Sequence, residues 1–297
     1  MSDVRSAPFP GTTHRGAGGP FKTVSAAAAA VLLLAGCNAA RDVNAERPAP
    51  SADEPVLHSA FSLTEEQLLQ MVESQPNPLP ARVAEHPQRF LELADSVLDL
   101  EHDFILLVDK QHPLPPDYQP ADLVSLSDYG GRIGYAAADR TVREAIVDDL
   151  LAMAEEARED GVHLLVQSAY RSWNYQQTLF NNYVARHGEE AAERFSARPG
   201  HSQHQLGSAV DFAPIGHQFS GTEDDLWLHE NAWRFGFSLS YPDGLEAITG
   251  YIYEPWHYRW IGRDATQLER EFFGGIQQHM LEFLHTHADT LRAARAQ

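Results

Sequence analysis

Residues 209–212 read Ala-Val-Asp-Phe, and the carboxylate inside that run sets a condition on any fold. An ionised carboxylate buried among apolar neighbours costs several kcal/mol unless it is paired, hydrogen-bonded or bound to a metal. Just upstream, Ser202-Gln203-His204-Gln205-Leu206-Gly207 supplies a histidine and then a glycine. Gly207 permits a tight bend that folds His204 back towards the strand. The stretch therefore has two readings: His204 and Asp211 as two ligands of one metal, or a turn into a buried strand whose polar residues pair among themselves. His201 would join a metal site only through a sharp turn, so it reads as a hydrogen-bonding residue at the rim.

The elements around this run follow from periodicity and caps. Thr64-Glu65-Glu66-Gln67 is a capping-box pattern ahead of Leu68, Leu69 and Val72, and a second helix places Phe90, Leu93, Ala94 and Val97 on one face. Ile105 to Val108 reads as an apolar strand. It gives way to chain with prolines at 113, 115, 116 and 120, which forbid a helix. The pattern predicts a helix over 141–160, with Thr141 and Glu144 as a second capping box and Ile146, Leu150, Met153 and Ala157 as its buried stripe. Gly161 ends it, and a core strand follows over 162–170. Ser172 caps a helix over 173–187 that Gly188 stops. A helix over 224–235 ends at Gly236. Strands over 237–241 and 250–261 are joined by a Pro242-Asp243-Gly244 turn, and the chain closes on a helix with Ile276, Met280, Phe283 and Leu284 inward. Strands and helices interleave without a regular βαβ rhythm. The fold class expected is therefore α+β, an antiparallel sheet core flanked by helices, and not a doubly wound sheet.

The 297 residues, 43% of them hydrophobic, suffice for a sizeable core. The formal net charge is -20. Arg5, Arg15 and Lys22 against Asp3 give the first 36 residues a charge of +2, leaving -22 for the rest. Such a surface repels phosphate backbones, so no nucleic-acid partner is expected. Val24 to Gly36 is a short uncharged run behind those basic residues, the order of an export signal. Thirteen residues are too few to span a bilayer comfortably. The run ends in Leu34-Ala35-Gly36-Cys37, which resembles the bacterial lipobox. Cys37 is the only cysteine, which excludes an internal disulfide and makes lipidation the better account of it. Residues 1–37 are read as a signal peptide with lipobox, 38–56 as a flexible linker and 57–104 as a helical N-terminal segment.

Three clusters each sit at the end of an expected strand: Ser168-Ala169-Tyr170-Arg171-Ser172 with Gln176, the His204/Asp211 stretch, and Glu254-Pro255-Trp256-His257. A catalytic zinc takes about three imidazole or carboxylate ligands and leaves one position open. His257 is the best candidate for the third, because Glu254 stands three residues before it. Metal-assisted amide hydrolysis needs such a carboxylate to take and return a proton. Pro255 breaks the ladder and lets both side chains point into one space; the alternative is a pair of polar residues on a sheet edge. His285 and His287 read as a solvated helix face, and Trp227, Trp233 and Trp256 as core or cleft wall.

Together, SAYRSWNYQQTLF, ARPGHSQHQLGSAVDF, NAWRFGFSLSYP and ITGYIYEPWHYRWIG resemble the zinc-dependent D-alanyl-D-alanine carboxypeptidases of the VanY type, a branch of the M15 peptidases. The proline-dense LLVDKQHPLPPDYQPADLV resembles their upstream signature. The resemblance implies a D-Ala-D-Ala carboxypeptidase or hedgehog-like zinc peptidase fold, a zinc carboxypeptidase domain over 105–263 and a C-terminal helix over 264–297. It gives His204, Asp211 and His257 the role of ligands to one Zn2+, Glu254 that of general base, and Arg171 that of stabilising the oxyanion. Gln176 and Ser202 would contact the substrate's terminal residue. Ser240 and Leu245 depart from it, standing where relatives often carry Arg and Lys. The implied activity is removal of the C-terminal D-Ala from peptidoglycan stem peptides, by an exported enzyme tethered to the cell envelope through a lipid on Cys37, with no protein partner. L,D-carboxypeptidase action on tetrapeptide stems is the close variant. A non-catalytic wall-peptide binding domain is the alternative of another class.

Overall fold

Thr64 accepts a hydrogen bond from the Gln67 amide at 3.2 Å, and the Gln67 side chain accepts one from the Thr64 amide at 3.0 Å. The first capping box is thus present as the sequence reads it. It opens a computed structural model that describes residues 57–295. The expected signal, Cys37 and the linker lie outside the described residues.

In chain order the elements are α1 (Glu65–Val72), α2 (Leu79–Glu85), α3 (Pro87–Leu98), β1 (Leu123–Ser125), β2 (Gly134–Tyr135), β3 (Thr141–Arg143), α4 (Val147–Glu159), β4 (Leu165–Ser168), α5 (Trp173–His187) and α6 (Glu189–Phe195). There follow β5 (Ala209–Phe212), α7 (Glu223–Asn231), β6 (Phe237–Leu239), α8 (Glu246–Thr249), β7 (His257–Trp260), α9 (Arg263–Phe272) and α10 (Gln277–Ala293). A five-stranded sheet runs β2-β4-β5-β7-β6. Its pairings are antiparallel except β2 with β4, which is parallel. The α+β expectation holds, with one parallel edge added by the two residues of β2.

The two faces of this sheet differ in chemistry. Val166, Val210, Phe212, Phe237, Tyr258 and Trp260 join Leu150, Leu151 and Met153 of α4 and Trp227 of α7 in one apolar cluster. Side chains alternate across a strand, so Asp211, His257 and Arg259 share the other face; Ser168, two residues from Val166, reaches it through a register irregularity in β4 that sets Ser168 opposite Asp211. A second cluster joins the two ends of the described chain: Leu68, Phe90, Leu93 and Val97 pack with Leu268, Phe272, Met280, Phe283 and Leu284. The edge-to-face contacts of Phe90 with Phe272 and Phe283, at 5.2 and 5.7 Å between ring centres, belong to it.

Four elements depart from the sequence reading. Thr141–Arg143 is not a cap but β3, paired with β1 in the register Leu123↔Arg143, and the helix proper starts at Val147. A tertiary strand partner outweighed the local capping signal. Ile105, Leu107 and Val108 of the apolar run are buried and Leu106 half-buried, but the run forms no strand; the carbonyls of Asp103, Phe104 and Leu106 instead accept from the Arg259 guanidinium at 3.4, 3.1 and 2.8 Å. Of residues 250–261 only His257–Trp260 is laddered. The single terminal helix is two, α9 and α10, parted at Gly274 and Gly275, whose φ values of +67° and +73° lie in the left-handed region. His287 also departs from the solvated face expected of it: it is half-buried, with its ring centre 4.8 Å from that of Phe283. Trp227 and Trp256 are core residues, while half-buried Trp233 stacks under Arg270 at 4.6 Å.

Candidate active site

The polar face of the sheet gathers the site. β5 lies between β4 and β7 with Ser168↔Asp211 and Asp211↔His257 as direct partners, so the sheet register itself brings carboxylate and imidazole together. His204 arrives by a different route. It sits in a 3-10 turn, Gln203–Leu206, that ends at Gly207 with φ +72°, the bend read from the sequence. Glu254 precedes β7 in a turn closed by the His257 amide on the Glu254 carbonyl at 3.0 Å. Pro255 occupies the second position of that turn, which is why residues three apart share one space.

His204, Asp211 and His257 each offer a ligand atom, all within 4.8 Å of one another, and all three are buried. His204 Nδ1 lies 2.7 Å from the Ala169 carbonyl and donates to it, which leaves the lone pair on Nε2. That nitrogen is buried, 3.1 Å from Asp211 Oδ2, and makes no hydrogen bond. His257 Nδ1 lies 2.8 Å from Asp211 Oδ1. An orphaned imidazole lone pair beside a carboxylate and a second imidazole is a donor set that fits zinc.

Electrostatics set the protonation states. Burial pushes the His204 imidazolium down to about 4, and the Arg171 charge adds to that. Burial alone would raise the Asp211 carboxyl, but His204 and Arg171 beside it outweigh that and hold Asp211 well below the usual carboxylate range. Glu254 goes the other way: burial, then the negative charge of Asp211, lifts it well above 4.5. Its Oε2 is 3.9 Å from His257 Nδ1. Two carboxylates side by side are thus biased in opposite directions, Asp211 towards its charged form and Glu254 towards its protonated one. A bound dication would draw Glu254 back down.

Arg171 forms an ion pair with Asp211, and its Nε donates to Ser168 Oγ at 2.9 Å. Ser172 caps α5 by accepting from the Tyr175 amide at 3.2 Å, as its sequence position implies. Gln176, in the first turn of α5, donates from Nε2 to the Ala197 carbonyl at 2.7 Å and keeps its Oε1 buried without a partner. Ser202 is buried just before the 3-10 turn. His201 is outside the ligand group, with Nδ1 2.8 Å from the Asp109 carbonyl. The sequence reading gave no role to Gln203, which lies against His257, or to Tyr241, whose ring centre is 4.8 Å from that of His257. Gln203 adjoins His204 in the motif, but nothing local in the sequence marks it as a partner of residue 257.

The family model for VanY, D-alanyl-D-alanine carboxypeptidase, matches residues 139–263. The chain is 36% identical over 205 residues to a D-alanyl-D-alanine carboxypeptidase of Enterococcus faecalis, covering 63% of this chain and 72% of that one. This chain belongs to the VanY D-alanyl-D-alanine carboxypeptidase family. It is also 36% identical over 172 residues to a putative carboxypeptidase of Bacillus subtilis, covering 56% of this chain and 63% of that protein's length, short of two thirds. Two solved structures share the VanY-type fold. One is the LdcB LD-carboxypeptidase, with TM-score 0.55 and 32% identity over 60% of this chain and 86% of that one. The other is a vancomycin resistance D,D-pentapeptidase VanY in complex with Zn(II), with TM-score 0.51 and 34% identity over 60% of this chain and 99% of that one.

Proposed function

We propose that the chain is a zinc-dependent D,D-carboxypeptidase that removes the terminal D-Ala from peptidoglycan stem peptides. The observation that carries this reading is the convergence of His204, Asp211 and His257 with Glu254 and Arg171 on one polar face of the sheet. Zinc held by the three ligands supplies Lewis acidity for amide hydrolysis. Glu254 takes the proton of the attacking water and returns it to the leaving amine of D-Ala. Arg171 keeps a fixed positive charge beside the ligands, where it stabilises negative charge growing on the scissile carbonyl oxygen. Gln176 and Ser202 hold the departing residue. Burial keeps bulk water from the proton on Glu254, the condition under which its raised affinity for a proton is useful.

Glu254→Ala tests the mechanism. Zinc should stay bound while turnover falls by a factor on the order of 10²–10⁴, the usual worth of a positioned base; unchanged turnover overturns the assignment. Incubation with pentapeptide and tetrapeptide stems tests the substrate. D-Ala released from the tetrapeptide alone would favour the second reading, L,D-carboxypeptidase action, which the likeness to LdcB supports.

The export reading belongs to the same proposal. Among the described residues no helix is long and apolar enough to cross a membrane. The Leu34-Ala35-Gly36-Cys37 run supports envelope attachment through a lipid at Cys37. Mass spectrometry of the mature amino terminus should find a lipid-modified Cys37; a start at another residue refutes the anchor.

A further inference from the structure

His257 Nε2, the ring nitrogen turned away from Asp211, lies 3.2 Å from Gln203 Oε1. The Gln203 Nε2 donates to Gln277 Oε1 at 3.3 Å, and the Gln277 Nε2 donates to the backbone carbonyl of Ser238 at 3.3 Å. Ser240 Oγ lies 2.7 Å from Gln203 Oε1 and 3.2 Å from Gln277 Oε1. Gln203, Ser240 and Gln277 are all buried, Gln277 to 1% exposure.

The direction of this chain of bonds is fixed from its far end. A backbone carbonyl only accepts, so Gln277 must turn its NH2 to Ser238 and its oxygen to Gln203. Gln203 must then turn its NH2 to Gln277 and its oxygen to His257. That oxygen requires a proton on His257 Nε2. Nδ1 is left to present its lone pair towards Asp211 and His204, where in the absence of a cation it would face a carboxylate oxygen at 2.8 Å. The Ser240 hydroxyl, lying against both amide oxygens, is consistent with the same polarity.

We propose that Gln277, the first residue of α10 and outside residues 139–263 of the family match, is a positioning residue for the metal centre. Acting through Gln203, it sets His257 as the Nε2-protonated tautomer that ligates through Nδ1. The inference rests on the zinc-site reading above. It makes the C-terminal helix part of the site although no residue of α10 is a ligand. Partners that orient a ligating histidine are typically worth about 10–100-fold in metal affinity.

Zinc affinity by chelator competition is the test, with the visible spectrum of the Co(II)-substituted protein as a second readout. Gln277→Leu should weaken zinc by about 10–100-fold and alter the Co(II) spectrum. Its neighbour Gln278 is also a buried amide on α10 but bonds Asp109 Oδ2 at 2.9 Å instead. Gln278→Leu should therefore bind zinc like the wild type, whatever it does to stability. Should Gln277→Leu not fold, Gln277→Asn withdraws the same carbonyl with less disturbance and carries the same expectation. A folded Gln277 variant with wild-type zinc affinity, or an equal loss in Gln278→Leu, overturns the proposal. His257→Ala separates the two levels. Loss of zinc in that variant upholds the ligand assignment independently of Gln277, and wild-type affinity there overturns the zinc-site reading and this inference with it.

Discussion

Glu269, on α9, is a fully buried carboxylate that the proposed chemistry does not use. Its Oε2 has no hydrogen-bond partner. Burial pushes the carboxyl from its ordinary 4.5 up to about 7, with Ser238 and Arg270 pulling the other way. Below about pH 4.5 the group is protonated in the folded and unfolded chain alike and has no effect on stability. Between there and about 7 the unfolded chain ionises while the folded chain keeps its proton, so stability falls as pH rises. Above about 7 both forms are ionised and the loss levels off at roughly 3 kcal/mol. Glu269→Gln keeps the shape and removes the titration. In urea unfolding at fixed zinc, the two proteins should be close at pH 5, and the variant should be more stable by roughly 3 kcal/mol at pH 8.5. For a domain of this size that corresponds to a Tm higher by about 6–12 °C. Parallel stability curves from pH 5 to 8.5 would refute the reasoning, because they would mean that Glu269 ionises in the folded state as readily as in water.

Three further outcomes follow from the site and its supports. Removing zinc by chelation should abolish hydrolysis and lower the Tm; against zinc held at about 100 times its Kd the loss is about 2.7 kcal/mol, read by calorimetry with and without chelator. Gly207→Ala puts a Cβ 3.0 Å from both Arg143 Cγ and Leu123 Cδ2 at a φ of +72°. It should cost at least roughly 1–2 kcal/mol in denaturant unfolding and weaken zinc binding, because His204 lies in the turn that Gly207 ends. Ser172→Ala removes the cap on α5 and should cost about 1 kcal/mol, a Tm drop of about 2–4 °C. Its KM for the stem peptide should change more than its zinc affinity, because α5 carries Gln176 but no metal ligand.

Local signals in the sequence were sufficient wherever a cap or a glycine acts on its own neighbours. Thr64 with Gln67, Ser172 with the Tyr175 amide, and Gly207 behind His204 all act within a few residues. The three clusters were legible too, because a carboxylate inside Ala-Val-Asp-Phe demands a partner and the sequence offers few. Long-range competition defeated the local reading elsewhere. Thr141 resembles a cap but found β1, and the apolar run Ile105–Val108 resembles a strand but its Leu106 carbonyl, with that of Phe104 just before it, went to a buried arginine far along the chain.

By itself the sequence determined the α+β class, the grouping of His204, Asp211 and His257 as candidate ligands and the bend that turns His204 inward, since each depends on residue chemistry and short-range geometry. Only the tertiary structure decided what stands behind those residues. The register Asp211↔His257 put carboxylate and imidazole side by side, and the break at Gly274 and Gly275 sent α10 back so that Gln277 meets Gln203. A hydrogen bond between residues 74 positions apart leaves no periodicity and no motif. Its direction depends on which carbonyl happens to lie at its end, and that is fixed only when the chain has folded.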